Sequence, residues 1–290
     1  MTDWRALYPF ESRWLDLAGG RLHYVDEGPR DAPAVLLLHG NPTWSFLWRD
    51  VVRSLRERFR VVAPDHLGCG LSDKPQDWSY RLADHVANVE RLVDAVGLRS
   101  FSLGVHDWGG AIGMGLATRR PERIERIVVL NTAAFRSSRI PLRIAACRIP
   151  LLGALGVRGL NAFALAATVM TTEKPLAADV KAGFLAPYGS WRERVAVLRF
   201  VQDIPMRPGH PSWGTLAEIE EGLSRLTAKP LLLVWGERDW CFTPAFREEW
   251  QRRFPTAQCL RLEDAGHYVL EDAGDRAIPK ITSFLSRDAA

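Results

Sequence analysis

The sequence predicts an α/β fold, with a mostly parallel, eight-stranded sheet flanked by helices and a helical cap inserted into it. Apolar segments typical of strands alternate with helical segments through residues 1–131. The alternation stops over residues 132–212, which are rich in Leu, Ala, Arg and Pro, and it returns over residues 213–290. We therefore predict a core in two parts, joined through one cap.

The first part of the core carries six strand segments. WLDLA and RLHYVDEG, linked by Gly19 and Gly20, predict an antiparallel hairpin. AVLLLHG and RVVAPD predict buried strands, and FLWRDVVRSLRERF between them has helical spacing. In YRLADHVANVERLVDAVG the apolar residues fall on one helical stripe, which Gly97 ends. The strand FSLGV, the small-residue helix GGAIGMGLA and the strand RIVVLN follow.

The second part of the core predicts the strand KPLLLVWGERD, the helix PAFREEWQRRF, the strand AQCLRLED and a last helix near RAIPKITSFL. Hinges to the cap are expected near Asn131 and between Pro211 and Lys229. The apolar cap residues have two interpretations, as walls for a long alkyl chain or as the cap's own core. These residues are Leu151, Leu152, Leu155, Leu160, Phe163 and Leu165.

Composition excludes several classes of protein. The net charge is +4 with scattered arginines, so no nucleic-acid partner is expected. The N-terminal residues lack the apolar core of a signal peptide, and no run of 18 apolar residues indicates a transmembrane helix. The four cysteines form no Cys-x-x-Cys pair, and GGAIGMG lacks the order of a dinucleotide loop. We expect a cytoplasmic protein with no metal and no cofactor.

A strand–turn–helix segment, GVHDWGG at residues 104–110, has the context of a nucleophile elbow, but Asp107 stands where most elbows carry Ser. A carboxylate is ionised at neutral pH and needs no base to activate it. It suits displacement at an electrophilic sp³ carbon with a good leaving group. No second elbow is present, so a serine hydrolase is excluded.

Further polar residues follow other strands of the predicted sheet. Asn41 follows the third strand, Asp239 the seventh and His267 the last, and the carboxyl ends of such strands form ligand sites. The chain order is nucleophile, acid, histidine. We predict that Asp107 attacks and that His267, oriented by Asp239, is the base or proton carrier. The amide of Asn41 and the indole N–H of Trp108 would bind the leaving group.

Each of these residues also has a structural interpretation. Aspartates at turns are commonly caps, and His267 could be a core histidine. Glu237 competes with Asp239 for the role of the acid, whereas Asp264 fits a turn. His39 and His106 adjoin the site segments and fit as hydrogen-bonding supports.

The segments HGNPTWSFLWR, PDHLGCGLSDKP and VHDWGG resemble those of the haloalkane dehalogenases, and the similarity spans nearly the whole chain. The resemblance implies an α/β-hydrolase fold, Asp107 as nucleophile, His267 as base, and Asn41 with Trp108 as the halide-binding pair. One branch of that family takes its acid from a Glu after the sixth strand. VVLNTAAF has no Glu, so the resemblance implies Asp239 instead.

Four segments, VVLNTAAF, RIPLLGALGVRGLNAF, RFVQDIPMRPG and DAGHYVLED, resemble the β-lactone decarboxylases of bacterial long-chain olefin biosynthesis. That family converts cis-β-lactones with two long alkyl chains to cis-olefins and carbon dioxide. The resemblance implies a small hydrophobic substrate. It implies the β-lactone synthetase, other enzymes of that pathway and further copies of this chain as partners, in an assembly at the membrane periphery.

Two other functions are compatible with parts of the sequence. An epoxide hydrolase also uses an elbow aspartate but usually needs two cap tyrosines, and this chain has only Tyr188 between the elbow and the seventh strand. Epoxide hydrolases also usually carry an aromatic residue where this chain has Asn41. A catalytically silent binding protein is the other alternative, and the intact set of nucleophile, acid, base and donors argues against it.

Overall fold

The computed structural model describes residues 3–286. Their strands form one eight-stranded sheet in the order β1-β2-β4-β3-β5-β6-β7-β8. The strands are β1 (Arg13–Leu17), β2 (Gly20–Glu27), β3 (Ala34–Leu38), β4 (Arg60–Pro64), β5 (Phe101–His106), β6 (Ile124–Leu130), β7 (Leu231–Gly236) and β8 (Gln258–Leu262). The β1–β2 and β2–β4 pairs are antiparallel and all other pairs are parallel. The predicted mostly parallel sheet and its N-terminal hairpin are confirmed.

Helices cover both faces of the sheet. They are α1 (Arg49–Leu55), α2 (Leu82–Ala95), α3 (Trp108–Arg119), α4 (Leu142–Ala146), α5 (Leu152–Ala154), α6 (Ala162–Met170), α7 (Ala178–Leu185), α8 (Val195–Gln202), α9 (Trp213–Gly222), α10 (Pro244–Arg253) and α11 (Val269–Leu285, broken at Ala273). A π-helical turn, Leu155–Gly159, directly follows α5 and precedes α6. Short 3₁₀ turns lie at Trp4–Leu7, Ser45–Trp48, Pro121–Arg123 and Leu223–Leu226.

The central strands are apolar because helices cover them on both sides. Every residue of β3, β4, β5 and β7 is buried. Two apolar clusters fill the space on the two faces of the sheet, one around α2 and α3 and the other around α1 and α11. Burial on both faces explains why these strands read as continuous apolar runs.

Residues 132–212 lie between β6 and α9 and contain the helices α4 to α8, and no strand of the sheet is assigned within them. A separate small cluster, which includes Val157, Tyr188 and Val197, packs inside this segment. The division into core (1–131 and 213–290) and cap (132–212) remains our prediction; residues 1–2 and 287–290 lie outside the described residues.

The prediction for the apolar cap residues is wrong for four of the six. Leu151, Leu155, Leu160 and Leu165 are 86%, 59%, 68% and 44% exposed and line neither cavity of the site, so they form neither a cap core nor a cavity wall. Phe163 and the 61% exposed Leu152 do line the site. The composition of the segment showed that it is apolar, but it could not show which side of each helix would face solvent.

Within residues 3–286, no single helix has both the length and the hydropathy of a membrane span. Leu152–Gly159 and Ala162–Met170, which are bent by 69° relative to each other, meet that criterion only when taken together.

Candidate active site

Asp107 lies at the sharp turn between β5 and α3, with φ 51° and ψ −126°. Such backbone angles are costly for a residue with a side chain, and they are typical of strained functional turns. The turn needs small neighbours: a Cβ on Gly109 would overlap the carbonyl oxygen of Leu38, and one on Gly110 would overlap the side chain of Thr132. The glycines that follow Asp107 therefore let α3 start close against β3 and β6.

Two backbone amides hold the carboxylate of Asp107. The N–H of Asn41 donates to Oδ1 over 2.7 Å, and the N–H of Trp108 also donates to the carboxylate. A serine hydrolase uses the equivalent pair, one amide after the nucleophile and one from the loop after β3, as its oxyanion hole. Here the nucleophile itself occupies the donors, so the arrangement fixes Oδ1 and leaves Oδ2 to attack.

His267 connects Asp107 to Asp239. Its Nε2 lies 3.6 Å from Oδ2 of Asp107, and its Nδ1 lies 2.7 Å from Oδ2 of Asp239. All three side chains are buried. The contact with Asp239 fixes the ring so that Nε2 faces the nucleophile, which is the geometry of a catalytic triad.

The positions of the acid candidates distinguish them. Glu237 forms an ion pair with Arg247 at 2.7 Å, and Asp264 forms one with Arg276 at 2.6 Å. Of the three carboxylates, Asp239 is the one that contacts His267. The geometry therefore supports Asp239 in the role of the acid.

Asn131, which follows β6, was not predicted as a site residue. Its side-chain N–H₂ donates to Oδ2 of Asp239 and to the carbonyl of Gly236, both over 3.0 Å, and its Oδ1 accepts the N–H of Gly236 over 2.9 Å. The absence of Glu from VVLNTAAF was the available signal, because it left the end of β6 free for a residue that orients the acid after β7.

The pKa values of the buried pair move in the same direction. Burial raises the pKa of Asp107, against the opposing effects of His267 and of the Asn41 and Trp108 amides. Burial lowers the pKa of His267, but the charge and hydrogen bond of Asp239, with the charge of Asp107, outweigh it and raise the pKa above 6.5. Imidazolium is thus favoured between two carboxylates.

Asn41 and Trp108 present their side chains next to Asp107. The amide nitrogen of Asn41 donates to the carbonyl of Val197 over 3.1 Å, which leaves its second N–H available. Asn41 lines both cavities of the site and Trp108 lines the smaller one. Two N–H donors beside the nucleophile suit an anion that departs from the attacked carbon.

His39 and His106 are hydrogen bonded within the protein. Nδ1 of His39 lies 2.7 Å from the carbonyl of Gly40, and its Nε2 accepts the N–H of His66 over 2.9 Å. Nε2 of His106 lies 2.9 Å from the carbonyl of His267. Burial lowers the pKa of both side chains, so they act as neutral supports of the site loops.

Two apolar cavities adjoin Asp107 and share part of their lining, and we call them the larger and the smaller branch of a forked cavity. The larger, about 430 Å³, runs under α4 to α6 and is lined among others by Phe163, Ala167 and Tyr268. The smaller, about 140 Å³, runs towards α8 and α9 past Leu216. Both branches are lined by Asp107 and Asn41, and also by Ile144, Phe163 and Cys241. The reacting carboxylate therefore lies where the branches meet.

The lining of the two branches also bears on epoxide and metal chemistry. Tyr188 is fully buried and lines neither branch, so Tyr268 is the one tyrosine among the described lining residues. The pair of tyrosines that an epoxide hydrolase usually needs is not formed. No group of three or more potential metal ligands is found within residues 3–286.

We expect Asn131→Ala to lower kcat about 10- to 100-fold with little change in KM, because Asp239 loses a hydrogen bond that orients it. Asn161→Ala is the matched control: Asn161 also has a positive φ, 54°, but lies in the cap outside both branches. The Asn161→Ala variant should have a lower thermal stability and an unchanged kcat. Equal kcat losses in both variants would assign the effect of Asn131 to backbone strain alone.

Comparison with known proteins agrees with this geometry. The family model described as alpha/beta hydrolase fold matches residues 33–146 and 181–274. The chain is 41% identical to a cis-3-alkyl-4-alkyloxetan-2-one decarboxylase of Shewanella oneidensis, covering 97% of this chain and 90% of that protein. It is 38% identical to haloalkane dehalogenase 2 of Mycobacterium tuberculosis, covering 93% of each.

Solved structures of haloalkane dehalogenases share this fold. DbeA from Bradyrhizobium elkani USDA94 aligns with a TM-score of 0.87 at 27% identity, covering 96% of this chain and 98% of that one. DatA from Agrobacterium tumefaciens C58 aligns with a TM-score of 0.86 at 26% identity, covering 96% of this chain and 97% of that one. The chain belongs to the α/β-hydrolase family, in the group that contains the cis-3-alkyl-4-alkyloxetan-2-one decarboxylases and the haloalkane dehalogenases.

Proposed function

We propose that the protein is a β-lactone decarboxylase that converts long-chain cis-β-lactones to cis-olefins and carbon dioxide. The observation that carries the proposal is the forked cavity, whose two apolar branches meet at Asp107 and Asn41. A lactone with alkyl groups on adjacent ring carbons presents two chains that diverge from the reacting ring. The relative from Shewanella oneidensis is named for the decarboxylation of a cis-3-alkyl-4-alkyloxetan-2-one, which is such a lactone.

The reaction starts with Oδ2 of Asp107, which attacks the alkyl-bearing ring carbon that is bonded to the ring oxygen. The carbon–oxygen bond breaks, and the chain's own donors, Asn41 and Trp108, bind the released carboxylate. The carbon–carbon bond to that carboxylate then breaks and releases carbon dioxide. Its electron pair forms the double bond as the ester bond to Asp107 breaks and restores the aspartate. Atoms and charge balance without water.

The geometry of attack accounts for a cis product. Attack from the face opposite the ring oxygen places the new ester bond anti to the carboxylate. Collapse from this arrangement leaves both chains on the same side of the double bond. Protonated His267, 3.6 Å from Oδ2, stabilises the aspartate as it departs. The apolar lining favours loss of carbon dioxide over hydrolysis, because water has little polar surface to bind there.

Haloalkane dehalogenation is the second candidate, since the same carboxylate and donors suit displacement of a halide. It needs water at the ester and neutral His267 as the base, and the relative in Mycobacterium tuberculosis is named for this activity. For the decarboxylase we also propose a cytoplasmic location and assembly with the enzyme that makes the β-lactone, on the resemblance of the cap segments.

The test offers the purified protein a cis-β-lactone with two long chains and a 1-haloalkane of matched length. We expect olefin and carbon dioxide from the lactone, identified by gas chromatography, and little halide release. Rapid halide release with the lactone recovered intact, or as the hydroxy acid, would establish the dehalogenase instead.

Lactones that carry one long chain and one methyl group provide the control. Because they fill a single branch, kcat/KM should fall at least about tenfold relative to the two-chain lactone, for the loss of several buried methylene groups. Equal values for both lactones would contradict the role given to the forked cavity.

A further inference from the structure

One region of the surface is unusually apolar. Of the ten large hydrophobic side chains that are exposed in the described part of the chain, eight lie within residues 142–169. A ninth, Trp191, is 46% exposed and lies beside them, because it and Leu155 both approach Gly159. We call this surface the cap face: Leu142, Ile149, Leu151, Leu152, Leu155, Leu160, Leu165, Val169 and Trp191.

The cap face is continuous with the mouth of the larger branch. On α6 the exposed residues are Ala162, Leu165, Ala166 and Val169, an apolar stripe with the spacing of one helical face. Ala162 and Ala166 of this stripe also line the larger branch, as Leu152 does. A helix in water normally turns such a stripe inward, so this one points to an apolar surface outside the protein.

The charges in the segment that carries most of the cap face have one sign. Residues 136–172 contain five arginines and neither Asp nor Glu. Arg136 pairs with Glu220, but Arg139, Arg143, Arg148 and Arg158 form no ion pair with any carboxylate among residues 3–286. Exposed leucines flanked by unpaired arginines are typical of segments that lie in the interface of an anionic membrane.

We propose that the cap face docks on an anionic lipid bilayer, with its leucines in the headgroup boundary and the larger branch open towards the acyl chains. An aliphatic surface favours lipid over a protein partner, because protein interfaces concentrate aromatic residues at their centres and need polar complementarity. Arg158 lies against the ring of Trp191 at 4.7 Å, a cationic and aromatic pair at the edge of the face. Substrates with long chains would thereby enter without crossing water.

Flotation with lipid vesicles tests the proposal without any substrate, so the outcome is independent of the proposed reaction. The protein should float with phosphatidylcholine vesicles that contain about 30 mol% phosphatidylglycerol, and much less with pure phosphatidylcholine. About 0.5 M NaCl should weaken the binding, because it screens the arginines. The combined variant Leu151→Gln, Leu155→Gln, Leu165→Gln should bind at least about tenfold more weakly.

Trp14→Gln is the matched control, because Trp14 is the exposed large hydrophobic side chain that lies outside the cap face in the described chain. It should float as the unchanged protein does. Thermal unfolding verifies that the triple variant is folded, and the lipid and salt dependence of the unchanged protein needs no variant. Protein that stays unbound with both vesicle types, or a triple variant that floats equally well, overturns the proposal. So does a stable dimer in solution that the triple variant dissociates.

Discussion

Asp107→Ala is expected to lower turnover at least about 10³-fold, on a β-lactone and on a haloalkane alike, because both reactions begin with attack by this carboxylate. The Asn41 and Trp108 amides that fix Asp107 would then have no anion to hold. Steady-state rates by gas chromatography measure the loss. Intact-protein mass spectrometry of rapidly quenched samples should show no alkyl adduct on the variant.

The control for this experiment is Asp264→Ala, which removes an exposed carboxylate three residues before His267. Asp264 pairs with Arg276 and does not line the cavity. We expect full activity from it. Full activity from Asp107→Ala would end the assignment of Asp107 as the nucleophile, and thermal unfolding of both variants shows whether each is folded.

His267→Ala should affect the two reactions differently. Hydrolysis of an alkyl ester needs a base, so turnover of a haloalkane should fall about 10²- to 10⁴-fold while the ester accumulates on Asp107. Loss of carbon dioxide needs no water, so an ester formed from the lactone should still collapse to olefin in the variant, but more slowly, because the side chain that stabilises the departing aspartate is gone. Mass spectrometry of the protein and gas chromatography of the products distinguish the two reactions. Hydroxy acid in place of olefin from the lactone would show that water completes this reaction too.

The acid limit of the rate should lie at different pH values in the two reactions. The pKa of His267 is raised above 6.5, so the neutral base is lost, and dehalogenation falls, as the pH drops through that raised pKa. Decarboxylation does not require neutral His267, and it should persist there until Asp107 takes up a proton. The pKa of Asp107 is itself raised, so this acid limit lies above the ordinary range of an aspartate. Rate profiles of the unchanged protein measure both limits.

The strands, their mostly parallel sheet and the elbow around Asp107 follow from local patterns. Apolar runs such as AVLLL form strands that are buried on both faces, and glycines after Asp107 allow the tight turn. The carboxyl ends of parallel strands lie at one edge of the sheet. Because Asp107, Asp239 and His267 each follow a strand, the sequence predicted that they would be close. The structure places them in contact.

Features that depend on distant partners were not predictable. Asn131 contacts residues 105 and 108 positions away, and no local pattern marks such a pair. The same holds for the Asn41 amide, which reaches Asp107 across 66 residues. Hydrogen bonds of this kind exist only once the strands are aligned in register, because their geometry is set by several elements at once.

The sequence by itself determined the α/β architecture, the carboxylate at the elbow and the set of polar residues at the strand ends, since each is encoded in short contiguous segments. Only the tertiary structure decided that Leu155 and Leu165 face outward, and that the cavity divides at Asp107. An apolar helix can bury its stripe against a core, a ligand or a membrane at similar gain in free energy. The choice depends on how the cap packs over the core, and spacing along one helix does not contain that information.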